Sequence, residues 1–383
     1  MAFDGSAIRA LLDAAVADGT AHGIAALVVG RGGPLFHHAA GEAGERTMFR
    51  NASMTKAVAT TAALQLVEQG RLRLDDPVAS ILPEFGRLQV LEGFDGDAPI
   101  LRSPASQATV RQLMTHTSGC GYFFTNEKLL RWHALTGAPT VLSGRKCSIV
   151  TPLVNDPGTA WEYGVSTDWL GLVVEQVTGQ TLGQALRERV YGPLRMDESG
   201  FAPNEEQGAR MLRVMQRQAD GGLAPAALDD TVTPDWDSGG GGSCGTIQEY
   251  GRFVKDWLND GAGVLQPATA QLALQNHIGA IQLPAVMKSA VPELSNDVPG
   301  LPFPQGWGLG FHLTQADLPG MRSHGTGDWA GVFNSYYWID RSKGIGGVLM
   351  TQLLPFFDLR VVQTLVGFEA AVYQQVGAAL PAG

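Results

Sequence analysis

Apolar residues recur along this chain in two rhythms, and the changes between them mark out its elements. Over residues 6–18 they stand at Ile8, Leu11, Leu12, Ala15 and Val16, the three-to-four spacing that gives a helix one buried face. The period then shortens. Residues 24–29 form a β-rich apolar run closed by Arg31-Gly32-Gly33, and residues 34–39 follow as a second strand, so the pair reads as a hairpin. Residues 53–69 are apolar nearly all round, through Ala57, Val58, Ala62, Ala63, Leu64, Leu66 and Val67, which predicts a buried helix stopped at Gly70. From about 76 to 235, proline-containing loops separate helical runs at 109–116, 165–178 and 181–190, with no convincing pair of strands. Thr246-Ile247-Gln248-Glu249 has the form of a capping box opening a helix over 247–258. Strand patterns return at 307–313, 332–339 and 344–353, before a last helix over 359–376.

Strands near both ends, with a helical stretch between, predict an α/β fold of the α+β type. One antiparallel sheet would be assembled from the two termini and covered by helices, with an all-helical lobe inserted. The expected division is an α/β domain from residues 1–75 and 236–383 and a helical domain from 76–235, with the active site in the cleft between them. No internal repeat is present, and the one low-complexity tract is the glycine run 239–242.

Composition narrows the partners more than the chemistry. The 383 residues are 44% hydrophobic and 17% charged, with a formal net charge of −10, which argues against nucleic acid or an anionic membrane surface. The first residues, Met1-Ala2-Phe3-Asp4, carry no basic segment of a secretory signal, and no stretch reaches the roughly 18 apolar residues of a membrane helix. Cys120, Cys147 and Cys244 are odd in number and widely spaced, favouring neither a disulfide framework nor a zinc site. The expectation is a cytoplasmic protein with reduced thiols, no metal and no cofactor, acting on a small molecule, its oligomeric state left open.

Ser53-Met54-Thr55-Lys56 changes the picture. A serine hydroxyl is a poor nucleophile until its proton is taken, and a lysine three residues later on a helix lies one turn away on the same face. A helix beginning near Ser53 adds a positive field that favours developing negative charge. Tyr163, in a Gly/Pro-flanked loop ahead of a helical run, is a candidate phenol for a Ser/Lys/Tyr proton-transfer group, although a lone tyrosine is more often an anchor. Gly327-Asp328-Trp329-Ala330-Gly331-Val332 leads into the 332–339 strand, where small residues admit a substrate and a strand edge offers an N–H to an oxyanion.

In this order these elements resemble the serine β-lactamase and penicillin-binding-protein superfamily, in its class C branch, and within it the family VIII carboxylesterases. The resemblance runs over roughly residues 10–370. It is carried by Phe49-Arg50-Asn51-Ala52-Ser53-Met54-Thr55-Lys56, Gly70-Arg71-Leu72-Arg73-Leu74-Asp75-Asp76-Pro77-Val78, Leu113-Met114-Thr115-His116-Thr117-Ser118-Gly119, Trp161-Glu162-Tyr163, the glycine run 239–242 and Gly306-Trp307-Gly308-Leu309-Gly310-Phe311. It implies a β-lactamase-like fold, Ser53 as nucleophile, and Lys56 with Tyr163 as general base and acid. It also implies an oxyanion hole from the backbone N–H of Ser53 and of the residue after a third motif. With Trp329-Ala330-Gly331 as that motif, the second donor is Val332; His324-Gly325-Thr326 competes for the role but lies further from the strand.

Two departures bear on the substrate. Lactam-hydrolysing members carry Tyr-x-Asn where this chain has Val165, and Lys-Thr-Gly or His-Thr-Gly where it has Trp-Ala-Gly. Both losses remove polar groups that hold an amide- and carboxylate-bearing substrate; an ester needs neither. The resemblance thus implies a carboxylesterase acting through an acyl-enzyme on Ser53. An acyltransferase, a β-lactamase or D-alanyl peptidase, and a ligand-binding protein retaining the fold are the alternatives. Either an uncharged Lys56 takes the serine proton, or a charged Lys56 holds Tyr163 as the phenolate that does; the residues alone leave both open.

Other motifs compete less well. Gly241-Gly242-Ser243-Cys244-Gly245 matches the G-x-S-x-G elbow, but the polar, proline-broken stretch 231–237 precedes it where a buried strand is required. His37 and His38 alternate across a strand and cannot share a metal. His116 reads as a buried, hydrogen-bonded structural residue. Gly306, Gly308 and Gly310 lack the strand–turn–helix setting of a dinucleotide site. Tyr122, Phe123, Phe124, Trp161, Trp307 and Trp329 are candidates to line an acyl or alcohol pocket, with Tyr122 and Trp161 foremost.

Overall fold

The computed structural model describes residues 3–227 and 233–379. Met1, Ala2 and the Thr231-Val232 start of the polar stretch ahead of Ser243 lie outside the described residues. Seven strands form the central sheet, in the spatial order Gln305–Trp307, His312–Thr314, Gly327–Gly331, Ser335–Asp340, Ile345–Met350, Gly23–Gly30, Gly33–Gly41. Every neighbouring pair is antiparallel, so the sheet is assembled from both ends of the chain as expected.

The apolar run at 24–29 is continuous because both faces of the sheet are covered. Ala25, Leu27 and Val29 face one core, which includes Phe253, Val254 and Trp257 of the helix Ile247–Leu258. Ile24, Ala26 and Val28 face the other, with Ile8 and Leu12 of the helix Ser6–Ala17 and Phe368 and Val372 of the helix Leu359–Ala379. The first core continues into the helices Thr55–Glu68 and Ser166–Thr178. Burying a Leu or Val side chain there is worth about 1.5–3 kcal/mol, enough to hold a helix that is apolar all round. Among the described residues, no helix is long and apolar enough to cross a membrane.

Four sequence expectations are corrected. Residues 307–313 are not one strand: Gln305–Trp307 and His312–Thr314 pair as a hairpin, Trp307 opposite His312. Residues 332–334 turn the chain, Asn334 having a φ of 57°, so the strand expected from 332 starts at Ser335 and pairs with the unexpected strand Gly327–Gly331. The inserted stretch is not all helical, because Val90–Asp95 and Ala98–Arg102 form a hairpin and Met215–Arg217 pairs with Leu223–Pro225 and with Leu353–Leu354. The capping box is half made. Thr246 Oγ1 accepts from Glu249 N at 3.3 Å, whereas the Glu249 carboxylate accepts instead from Glu198 N and Ser199 Oγ.

Candidate active site

Ser53 is placed by a short sheet and a strained turn. The strand Met48–Arg50 pairs with Cys244–Thr246 and delivers the chain into the 3₁₀ turn Ala52–Met54, which runs on into the helix Thr55–Glu68. Ala52 has a φ of 44°, a left-handed conformation costing a non-glycine residue roughly 1–2 kcal/mol. Hydrogen bonds hold it there. Asn51 N donates to Ser243 O at 2.9 Å, Asn51 Nδ2 to Ser243 Oγ at 3.0 Å, and Tyr250 Oη to Met54 O at 3.0 Å. Strain of this kind, held in place by its surroundings, collects at functional sites. Ser243 is therefore a strut of the turn: it is 1% exposed and its Oγ is shared with Asn51 and Thr55. Ser53 itself is only partly buried.

The three residues singled out by type meet. Lys56 Nζ donates to Ser53 Oγ at 3.0 Å, and Tyr163 Oη lies 2.6 Å from the same oxygen. Tyr163 reaches it from the loop ahead of the helix Ser166–Thr178, anchored where Glu162 N donates to His116 O at 2.9 Å. Lys56 makes two further bonds, to Tyr122 Oη at 3.0 Å and to the Gly240 carbonyl at 2.5 Å. Three N–H groups and three acceptors match the geometry of an ammonium. Tyr122, expected to line the substrate pocket, instead places its hydroxyl against Lys56. Burial pushes that phenol well above its ordinary range, with Asp168 adding to the effect.

One participant went unread in the sequence. Asp168 lies in the first turn of Ser166–Thr178, 2% exposed, and accepts from Ser238 Oγ at 2.5 Å, Gly240 N at 2.9 Å and Tyr122 Oη at a longer 3.4 Å. The glycine run has its reason here, since a Cβ on Gly240 would sit 2.1 Å from Asp168 Oδ2. The available signal was a carboxylate in a run that otherwise reads as core: Trp169, Leu170, Leu172, Val173.

Opposite Tyr163 stands the strand Gly327–Gly331. Trp329 Nε1 donates to Tyr163 Oη at 3.2 Å. On the side facing His312–Thr314 this strand pairs only through Gly327 and Asp328, so the backbone of Trp329, Ala330 and Gly331 has no strand neighbour there. Gly331 packs against the turn that carries Ser53, where a Cβ would lie 2.6 Å from Asn51 O, and Val332 follows it at the start of the turn 332–334. His324, by contrast, is exposed at the far end of the strand, with Thr326 Oγ1 bonded to Ser323 O. Val165 is a buried apolar residue at the N-terminal boundary of its helix.

Trp161 stacks on Tyr163, ring centroids 6.2 Å apart, and packs at a tilt against Trp307 at 5.0 Å. His116 packs its ring 5.1 Å from that of Tyr163; burial, reinforced by Lys56, holds it neutral. Its Nδ1 has no partner among the described residues, so it is buried as expected but not hydrogen-bonded through that nitrogen. His38 bonds Asp13 while His37 approaches Gln248, and the two histidines do face apart. From Trp161, Trp329 and Ala330 a cavity of about 400 Å³ opens, walled by Leu283, Met287, Leu301, Phe303, Phe356 and Leu365. A cavity of that volume accommodates a small organic molecule.

Known proteins share the family and the fold of this chain. A family model described as Beta-lactamase matches residues 8–371. Lovastatin esterase of Penicillium rubens is 34% identical, over 78% of this chain and 77% of its own. Monacolin J acid methylbutanoyltransferase of Aspergillus terreus is 31% identical, over 86% and 82%. The unliganded simvastatin synthase (LovD) of Aspergillus terreus, as its selenomethionyl derivative, matches with a TM-score of 0.85 at 27% identity, covering 96% of this chain and 97% of that one. A family match over nearly the whole chain, on a fold shared end to end, leaves one conclusion: the chain belongs to the beta-lactamase family and is an enzyme of the serine β-lactamase superfamily.

Proposed function

We propose that the protein is a serine carboxylesterase that forms an acyl-enzyme on Ser53, with Tyr163 as the proton-transfer base and Lys56 as its electrostatic support. The single observation carrying this reading is the convergence of Lys56 Nζ and Tyr163 Oη on one partly exposed hydroxyl, at 3.0 and 2.6 Å. Lys56 has its three donors committed, whereas the Tyr163 oxygen receives the Trp329 indole N–H and the Tyr163 ring centroid lies 4.8 Å from Lys56 Nζ. Both features leave Tyr163, rather than Lys56, free to take up the serine proton. Ser53 Oγ then attacks the ester carbonyl as its proton passes to Tyr163. The resulting oxyanion is held by the N–H groups of Ser53 and Val332, and collapse expels the alcohol, protonated by Tyr163. Water repeats the sequence to release the acid. An ester fits better than a lactam because Val165 and Trp329 offer no amide or cation to hold an acylamide and a carboxylate.

The largely apolar cavity beyond Trp329, and kinship with both an esterase and a methylbutanoyltransferase, support a second reading in which an alcohol replaces water as acceptor. One experiment addresses both. Ser53→Ala lowers turnover of a p-nitrophenyl ester by about a thousandfold or more, and a fluorophosphonate adduct maps to Ser53 in the parent only. Unchanged turnover would remove Ser53 from the chemistry. With a bulky alcohol added, free acid as the sole product selects hydrolysis, and a new ester selects transfer.

A further inference from the structure

Asp168 stands one step behind Lys56 on two separate paths. Its Oδ2 accepts from Tyr122 Oη, which in turn accepts from Lys56 Nζ. Its Oδ1 accepts from Gly240 N, and the Gly240 carbonyl accepts from Lys56. Ser238 Oγ adds a third donor. All these contacts aim donors at the carboxyl, a setting suited to the carboxylate, which only accepts. Both Lys56 and Asp168 are 2% exposed, so a cation here is strongly disfavoured unless a counter-charge is near.

We infer that Asp168 is the positioning residue of the proton-transfer group: its carboxylate keeps Lys56 charged and holds it on Ser53 through Tyr122 and the Gly240 peptide. This rests on the acyl-enzyme reading above. The indirect connection matters. A carboxylate in direct contact would draw the ammonium away from Ser53, whereas one placed behind two bridges supplies the charge and leaves the third N–H for the nucleophile. The other titratable groups facing this cluster are Tyr122 and Cys120 from the 118–125 segment, Tyr163 from its loop, and His116 beside Lys56. Burial pushes the Cys120 thiol up to about 12 and the Tyr122 phenol well above its ordinary range, and holds His116 neutral. Burial raises the Asp168 carboxyl as well, opposed by Lys56 and by the donors Ser238 Oγ, Gly240 N and Tyr122 Oη, and it is this ring of donors that marks Asp168 as the counter-charge of Lys56.

The test is Asp168→Asn, which keeps the shape and removes the charge. We expect kcat for a p-nitrophenyl ester to fall on the order of 10- to 100-fold with KM within about threefold. The alkaline limb of the pH–rate profile should move to lower pH by about one unit or more, because the cluster loses its buried negative charge. Fluorophosphonate labelling of Ser53 should slow in parallel. A folded Asp168→Asn enzyme with parental kcat and an unmoved profile overturns the inference. Should that variant fail to fold, Tyr122→Phe carries the test by cutting one bridge: the same direction of shift supports the inference, and an unmoved profile overturns it. Failure of the parent itself to label at Ser53 would instead overturn the acyl-enzyme reading.

Discussion

At the scale of single residues, the site depends on substituting one donor for another. Trp329 stands where the family resemblance places a lysine or a histidine, and it offers Tyr163 an uncharged indole N–H at 3.2 Å. Its ring is also fixed by Trp307, centroids 4.7 Å apart, so the donor is held in place by packing. Trp329→Phe keeps most of that packing and deletes only the hydrogen bond. A bond to a charged acceptor is worth about 1.5–3 kcal/mol, so kcat is expected to fall roughly 10- to 100-fold with KM nearly constant. Steady-state kinetics across a series of esters decides the matter. A rise in KM with kcat unchanged would instead make Trp329 a wall of the substrate pocket.

At the scale of elements, the spacing between the strand Gly327–Gly331 and the turn Ala52–Met54 sets the site. A methyl group on Gly331 would meet Asn51 O at 2.6 Å, and that carbonyl is itself the acceptor that closes the turn on Met54 N. Gly331→Ala should push the strand back, separate Val332 N–H from the Ser53 hydroxyl, and lower kcat/KM by about tenfold or more. Overpacking costs about 1–3 kcal/mol, so the variant should still fold, and parental kinetics in a folded variant would exclude this role for the strand. This strand also shows where the sequence stops being legible. Helices with a long apolar stripe or an apolar run, such as Ser6–Ala17, Thr55–Glu68 and Ile247–Leu258, announce themselves, and so does a strand covered on both faces such as Gly23–Gly30. Gly-Asp-Trp-Ala-Gly has two glycines, a carboxylate and no β-branched residue; pairing with Ser335–Asp340 makes it a strand, and that pairing is tertiary. The same holds within the site. Ser53 and Lys56 share a helical turn, and Tyr163 comes with a recognisable fragment, so all three could be named from the residues. Asp168 reads as an ordinary acidic residue in a helix's first turn, because the Gly240 amide that gives it meaning lies 72 positions further on.

At the scale of the whole molecule, a largely buried ionic cluster ties the strand Gly327–Gly331 to the opposite face of the sheet. Arg322 donates to Asp328 at 2.5 Å and to Glu369 at 2.5 Å, while His312 Nδ1 lies 3.0 Å from Asp328. Asp328 precedes Trp329, and Glu369 belongs to the helix Leu359–Ala379, so one guanidinium links the strand bearing the Tyr163 donor to the terminal helix. Burial pushes the Asp328 carboxyl up, but His312 and Arg322 outweigh it and hold the group below its ordinary range; burial dominates for Glu369 and raises it. The signs then oppose. The contribution of Asp328 is present above the unfolded value of about 4 and fades as pH falls through its lower folded value. The contribution of Glu369 is present below its unfolded value and fades as pH rises through the higher folded one. Arg322 is what keeps both carboxylates tolerable at neutral pH. Arg322→Met leaves the buried Glu369 and the half-buried Asp328 with no guanidinium, and breaking a buried pair from one side costs about 3–5 kcal/mol. Without the cation both carboxyls are raised, so the loss should be largest near pH 7 and shrink toward pH 5, where protonation neutralises them. Urea unfolding of parent and variant at the two pH values measures this difference. A gap that does not change with pH, or one below about 1 kcal/mol, would mean that packing alone joins the strand to the helix.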